Sequence, residues 1–227
     1  MAKILGETSQ TTNVTRVSEG AEQYLRMLRD GTVGIADLIA LWSLEGRIFT
    51  VSAGAATGPA TFAAGALNTK EMDLHIVVPA SVVIIPISWE IYFEAYGASA
   101  PVECMLQYGT GSVVGTATVD VPSSSNSSAG RASQCTCNVA SATGTALTTV
   151  VEEIWHDGLQ AAATCTSAAG TTTPFRWQPE RFAYRASDTG ILHIIGPSQQ
   201  VLGWTAANVG TGFFQFKYVE LPVGSVE

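Results

Sequence analysis

The chain has 227 residues, of which 46% are hydrophobic and only 13% charged, and it carries a net charge of −8. The acidic balance excludes electrostatic capture of nucleic acid as the main task and excludes a polybasic membrane anchor. Ordinary domains have about a quarter of their residues charged, so the surface here is either built from small polar residues or buried against other subunits; the mixture of small polar and apolar residues favours the second.

This length suits one large all-β domain or two small ones. Residues 1–17 are rich in Thr, Ser, Gln and Asn, lack a hydrophobic period and read as an extended arm with only Lys3 and Arg16 as cations. The start does not read as a secretory signal. Residues 18–45 are the best helical candidate. Ser18 offers an N-cap, Tyr24, Leu25 and Leu28 recur at helical spacing, and Asp30-Gly31 ends a first helix. Ile35, Leu38, Ile39 and Trp42 continue the period, and Gly46 is the stop.

From residue 46 to 227 the texture is that of strands and turns. Arg47 to Ser52 and Leu74 to Val78 read as strands, with a Gly/Ala-rich loop from Ala53 to Ala66 between them. Val82 to Tyr96 gives the longest strand signal, with Ile85, Ile87, Trp89, Ile91 and Phe93 on one parity. Pro86 within it implies an edge position, a bulge or a bend, and interrupts an apolar run already too short to span a bilayer. Val102 to Tyr108 follows, and Pro122 to Gly130 is a Ser-rich, exposed, flexible loop. Further strands are expected at Ser133 to Val139, Thr148 to Trp155 (or a short helix), Phe182 to Arg185, Gly190 to Ile195 and Gln200 to Thr205. The last, Phe213 to Leu221, is the clearest. Phe214, Phe216 and Tyr218 take one face, and Phe213, Gln215, Lys217 and Val219 the other. Eight to ten strands with turn signals between them predict an antiparallel β-sandwich.

No residue pattern points firmly to chemistry. Glu152-Glu153-Ile154-Trp155-His156-Asp157 is the densest ionisable cluster. A helix would put Glu152 and His156 one turn apart, and a strand would put them on one face. With His75 and His193 in other strands, the cluster reads as a solvated strand end. There is no G-x-S-x-G elbow, and Gly109-Thr110-Gly111-Ser112 lacks the lysine of a phosphate-binding loop. Cys104, Cys135, Cys137 and Cys165 are expected as reduced thiols without metal-site spacing, although either member of the Cys135/Cys137 pair could reach Cys165 across strands. Catalytic residues, cofactors and metals are therefore not expected. Phe175-Arg176-Trp177-Gln178-Pro179-Glu180-Arg181-Phe182-Ala183-Tyr184-Arg185 interleaves basic and aromatic residues. Such a segment stacks bases or forms a protein–protein hot spot, and the acidic whole favours subunit contact.

A polar arm, a short helical region and a β-domain ending in an aromatic strand together resemble a single jelly-roll capsid (coat) protein of a virus or phage. Met1 to Glu7, Glu45-Gly46-Arg47-Ile48-Phe49 and Phe213 to Pro222 carry the likeness. It implies a homo-oligomeric shell made in a host cytoplasm and located in the virion, partnered by other copies and by other virion proteins. The arm lacks the basic residues of many RNA-virus coats, so contact with a genome is expected to be weak or indirect, through Arg176 to Arg185 or a second protein. Tyr24, Leu28, Trp42, Arg176, Trp177, Arg181, Arg185, Phe214 and Phe216 are the residues expected to form contacts or core. A trimeric jelly-roll module that binds a glycan or receptor is the alternative, and a β-sandwich glycosidase using Glu90 and Glu94, or Glu152 and Asp157, a third reading.

Overall fold

The computed structural model describes residues 37–63, 67, 71–95, 102–128, 131–159, 181–205 and 210–225. The arm (1–17), most of the expected helical region, Tyr24, Leu28, Arg176, Trp177 and Cys165 lie outside the described residues. In chain order the elements are α1 (Leu38–Leu44), β1 (Ile48–Ala53), β2 (Ala60–Thr61), β3 (Glu71–Val77), β4 (Val82–Ala95), β5 (Val102–Thr110) and β6 (Val114–Asp120). Then come β7 (Ser123–Ser124), β8 (Thr136–Gly144), β9 (Thr149–Leu159), β10 (Arg181–Arg185), α2 (Ala186–Thr189), β11 (Gln200–Trp204) and β12 (Thr211–Pro222), closed by a 3-10 turn at Val223–Ser225.

The strands form two antiparallel sheets. The first has the order β10-β4-β12-β1-β7 with β2 paired to β12, and the second the order β6-β8-β3-β11-β5-β9. The expected all-β sandwich is what forms. Its pairing is nested: β1 pairs with β12, β3 with β11, β4 with β10 and β5 with β9. The chain therefore runs out and back as one antiparallel ribbon, with β6, β7 and β8 inserted near its middle.

Alternation along each strand decides what is buried between the sheets. The aromatic face of β12 points inward as expected, with Phe214, Phe216 and Tyr218 almost wholly buried. Gln215 and Phe213 remain exposed on the other face. Phe49 and Val51 of β1 and Trp89, Ile91 and Phe93 of β4 join the core from the first sheet. Leu74 and Ile76 of β3, Leu106 of β5 and Val201 of β11 meet them from the second. Trp89 contacts Phe214 and Trp155 edge-on at 6.0 and 5.9 Å between ring centres, in the geometry favoured by ring quadrupoles. Opposite Trp89 stands Gly203, where an added Cβ would lie 2.7 Å from the indole ring.

Several expectations change. Within the described part of the expected helical region, α1 begins at Leu38, capped by Asp37, which is extended (φ −57°, ψ 137°) and whose carboxylate accepts a 3.4 Å hydrogen bond from the Ile39 N–H. Gly46 ends it as expected, in the left-handed region at φ 67°. The long strand does not keep one parity. The register slips between Lys217 and Tyr218 opposite Ser88 and Pro86, which leaves Ile87 as the extra residue of a bulge. Trp89, Ile91 and Phe93 thus face the core, whereas Ile85 and Ile87 pack on the outer face. Pro86 sits at this bulge in a strand with neighbours on both sides, so of the three options offered by the proline, the bulge is realised. Residues 190–195 are not a strand, apart from a single bridge between Ile195 and Ile84. Gly190, at φ 67°, terminates α2, and the following chain crosses between sheets. The segment 148–155, ambiguous between helix and strand, is strand β9, and β6 is a strand that the hydrophobic pattern did not signal.

Two outcomes test this core. Phe216→Ala should cost about 3–5 kcal/mol in urea unfolding, and Phe216→Asp should leave no cooperatively folding protein. A soluble, cooperatively melting Phe216→Asp variant would contradict the placement of β12. Gly203→Ala should cost about 1–3 kcal/mol through overpacking against Trp89, and a neutral result would contradict the close approach of the two sheets.

Candidate functional site

The outer face of the first sheet divides into two halves. In one half Ile48, Val83, Ile85, Val219 and Leu221 form a buried apolar cluster capped by Trp42, Ile87 and Val223. Trp42, expected to form contacts or core, is thus the side chain with which α1 seals this half. The other half is polar. Alternation along β10 sends Phe182 and Tyr184 inward and leaves Arg181 and Arg185 outside. Both arginines reach Glu90 of β4, Arg181 at 2.5 Å and Arg185 at 3.1 Å. The Arg181 guanidinium also lies 5.3 Å from the centre of the Tyr92 ring.

Burial on its own would raise the Glu90 carboxyl, but hydrogen bonds and charge from Arg181 and Arg185 outweigh it and hold the group below its ordinary value. Because Phe182 and Tyr184 are core, they do not share a surface with Arg181 and Arg185. The base-stacking arrangement that the sequence allowed is therefore absent from this strand.

Where the two halves meet, a groove of about 480 Å³ opens, within the size range of ligand pockets. Ile39, Trp42, Ile85, Ile87 and Leu192 give it apolar walls, and Glu90, Arg185 and Lys217 a charged end. Lys217 has no ion-pair partner among the described residues. No sequence pattern marks this groove, because its walls come from α1, β4, β12 and the chain after β10. Its nearest signal is the bulge at Ile87, which turns an aliphatic side chain outward.

The ionisable cluster on β9 is split by the bulges in its pairing with β5. Glu153 pairs with His156 at 3.4 Å on the surface. Glu152 instead accepts a 3.2 Å hydrogen bond from the Tyr108 hydroxyl and stands 3.2 Å from Nδ1 of His193. A second histidine does meet this strand, against the expectation that His193 lies elsewhere. The contact ties the segment after α2 to the edge of the second sheet. Tyr184 lies beneath it with a buried hydroxyl that has no hydrogen-bond partner; burial, aided by the Glu152 charge, pushes its phenol up to about 12.

The remaining polar groups serve packing. Asp73 accepts from the Ala63 and Thr205 N–H groups and from the Thr205 hydroxyl, which joins the chain before β3 to the chain after β11. Buried Glu220 accepts from the Ser133 hydroxyl and the Gln134 N–H, and Ser133 also meets the Tyr218 hydroxyl at 2.8 Å. Cys104, Cys135 and Cys137 are free and buried. Burial raises all three thiols, that of Cys137 to about 12, so they are poor nucleophiles. Among the described residues no three His, Cys, Asp or Glu side chains cluster closely enough to hold a metal ion. Among the same residues no helix is long and apolar enough to cross a membrane.

His75 of β3 is buried, and neither ring nitrogen has a hydrogen-bond partner. Burial lowers it from 6.5 to about 4. The unfolded chain therefore takes up this proton first as pH falls. The stability from keeping the ring neutral is complete above about pH 6.5 and is lost toward pH 4, a change of about 3 kcal/mol. Between pH 7 and pH 4.5, His75→Met should lose about 2–3 kcal/mol less stability than the wild-type chain in urea unfolding. Equal losses would show that His75 does not carry this acid sensitivity.

Compared with known proteins, the chain matches no protein-family model, no curated protein and no solved structure.

Proposed function

We propose that this protein is a structural, non-enzymatic component of a virus or phage, which assembles with copies of itself into a capsid shell. The observation that carries the reading is the nested pairing of β1 with β12, β3 with β11, β4 with β10 and β5 with β9. We read a ribbon wound in this way as a jelly roll, an architecture used for shell walls and also for lectin domains. Fold does not fix function, so the surface supplies the second support. Ile191, Leu192 and Ile194 after α2, Val150 and Val151 on β9, and Leu38, Ile39 and Leu44 on α1 all stand exposed. The contact between His193 and Glu152 brings the first two groups together, and the groove brings Leu192 to Ile39. An aliphatic band on a chain with so few charges suits burial against neighbouring copies. Partners are other copies and other virion proteins, with genome contact weak or indirect.

Sedimentation velocity from micromolar to hundreds of micromolar, across salt and pH, should show large assemblies growing at the expense of monomer. The pair Ile191→Glu and Ile194→Glu should keep the melting temperature and suppress them. A chain that stays monomeric under every condition would overturn the reading, and discrete trimers with no larger species would favour the glycan- or receptor-binding module.

A further inference from the structure

We propose that the groove between α1, Ile87 and Leu192 binds a small amphipathic anion, an aliphatic chain that ends in a carboxylate. The cationic end of the groove is built by strand register. Lys217 of β12 and Arg185 of β10 both pair with Ser88 of β4, so the three stand in one row across the outer face of the first sheet. Adjacent strands lie about 5 Å apart, which sets the two cations about 10 Å apart at Cα, with only a serine side chain between them. Among the residues that line the groove Glu90 is the one acid, and it is held by Arg181 as well as by Arg185. Three cations thus meet one carboxylate, and Lys217 has no ion-pair partner among the described residues. The row over Ser88 is a place for a negative charge that the described residues do not supply.

The rest of the groove selects the body of the ligand. Ile39 and Trp42 of α1, Ile85 and Ile87 of β4, and Leu192 give it hydrocarbon walls. Ile87 is there because the bulge turns it outward, and Leu192 because its neighbour His193 is tied to Glu152. A small polar anion would leave these walls in water, and a neutral hydrocarbon would leave Lys217 unmatched. The surplus positive charge disfavours a cationic amphiphile. An aliphatic carboxylate satisfies both ends at once, with its chain against the walls and its oxygens between Lys217 and Arg185. The volume of about 480 Å³ is that of a small-molecule site. Ile191 and Ile194, which carry the proposed contacts between copies, do not line the groove. The inference therefore does not depend on shell assembly.

Isothermal titration calorimetry on the full chain near neutral pH tests it. The probes are decanoate, decanol and decyltrimethylammonium, each kept below the concentration at which it forms micelles. Decanoate should bind saturably, one per chain, and about tenfold more tightly than either of the others. Lys217→Gln should weaken decanoate about fivefold, the worth of one partly exposed ion pair, and leave decanol unchanged. Leu192→Asp should weaken both. Added salt should weaken decanoate and spare decanol. Leu192 is exposed and Lys217 partly so, and an unchanged melting temperature shows that the variants are folded. Sedimentation of the same samples reports assembly separately. The proposal is overturned by an absence of saturable decanoate binding. It is equally overturned if decanol or decyltrimethylammonium binds as tightly as decanoate, or if Lys217→Gln binds decanoate as the wild-type chain does.

Discussion

Trp89 projects from the first sheet onto Gly203 of the second, at a point where even a methyl group would lie 2.7 Å from its ring. This contact sets how closely the sheets approach. Around it the aromatic face of β12 fills the interior, with Phe214 meeting Trp89 and Phe216 meeting Tyr218 at ring-centre distances of 6.0 and 5.9 Å. The order of the sheets follows from the same strand. β12 lies between β4 and β1, so the last of the described strands joins the first to the rest of its sheet. Sandwich closure is therefore a long-range event, and its cost in loop entropy is offset by the large aromatic area that β12 buries.

Because the interior is filled by one face of each strand, function is left to the outer faces and the rims. On the first sheet α1 covers only half of the outer face, and the uncovered edge is the groove. The tie from Glu152 to His193 holds the segment after α2 in place. This positions Leu192 in the groove and its neighbours Ile191 and Ile194 in solvent. Burial and hydrogen bonding account for the buried ionisable groups: Asp73 and Glu220 bind backbone and hydroxyl donors, and the thiols are suppressed by desolvation. Among the described residues these buried groups serve packing.

The sequence made the core face of β12 legible because Phe214, Phe216 and Tyr218 alternate with Gln215 and Lys217 without interruption. It also marked Gly46 as the helix stop. It misplaced Ile85 and Ile87, since a single inserted residue at the bulge reverses the parity of everything before it and leaves no trace in composition. The signal at Pro86 was present but open to three meanings, and only pairing with Tyr218 selects one. Strand β6 went unseen because its Val and Thr residues carry little hydrophobic contrast. The joining of His193 to Glu152, and the groove itself, depend on tertiary neighbours far apart in the chain, which periodicity cannot report.

The most direct measurement is negative-stain electron microscopy of the purified full chain at high concentration. The account predicts closed particles of uniform diameter. Fields containing only particles of monomer or trimer size, under conditions where the chain is folded, would contradict it.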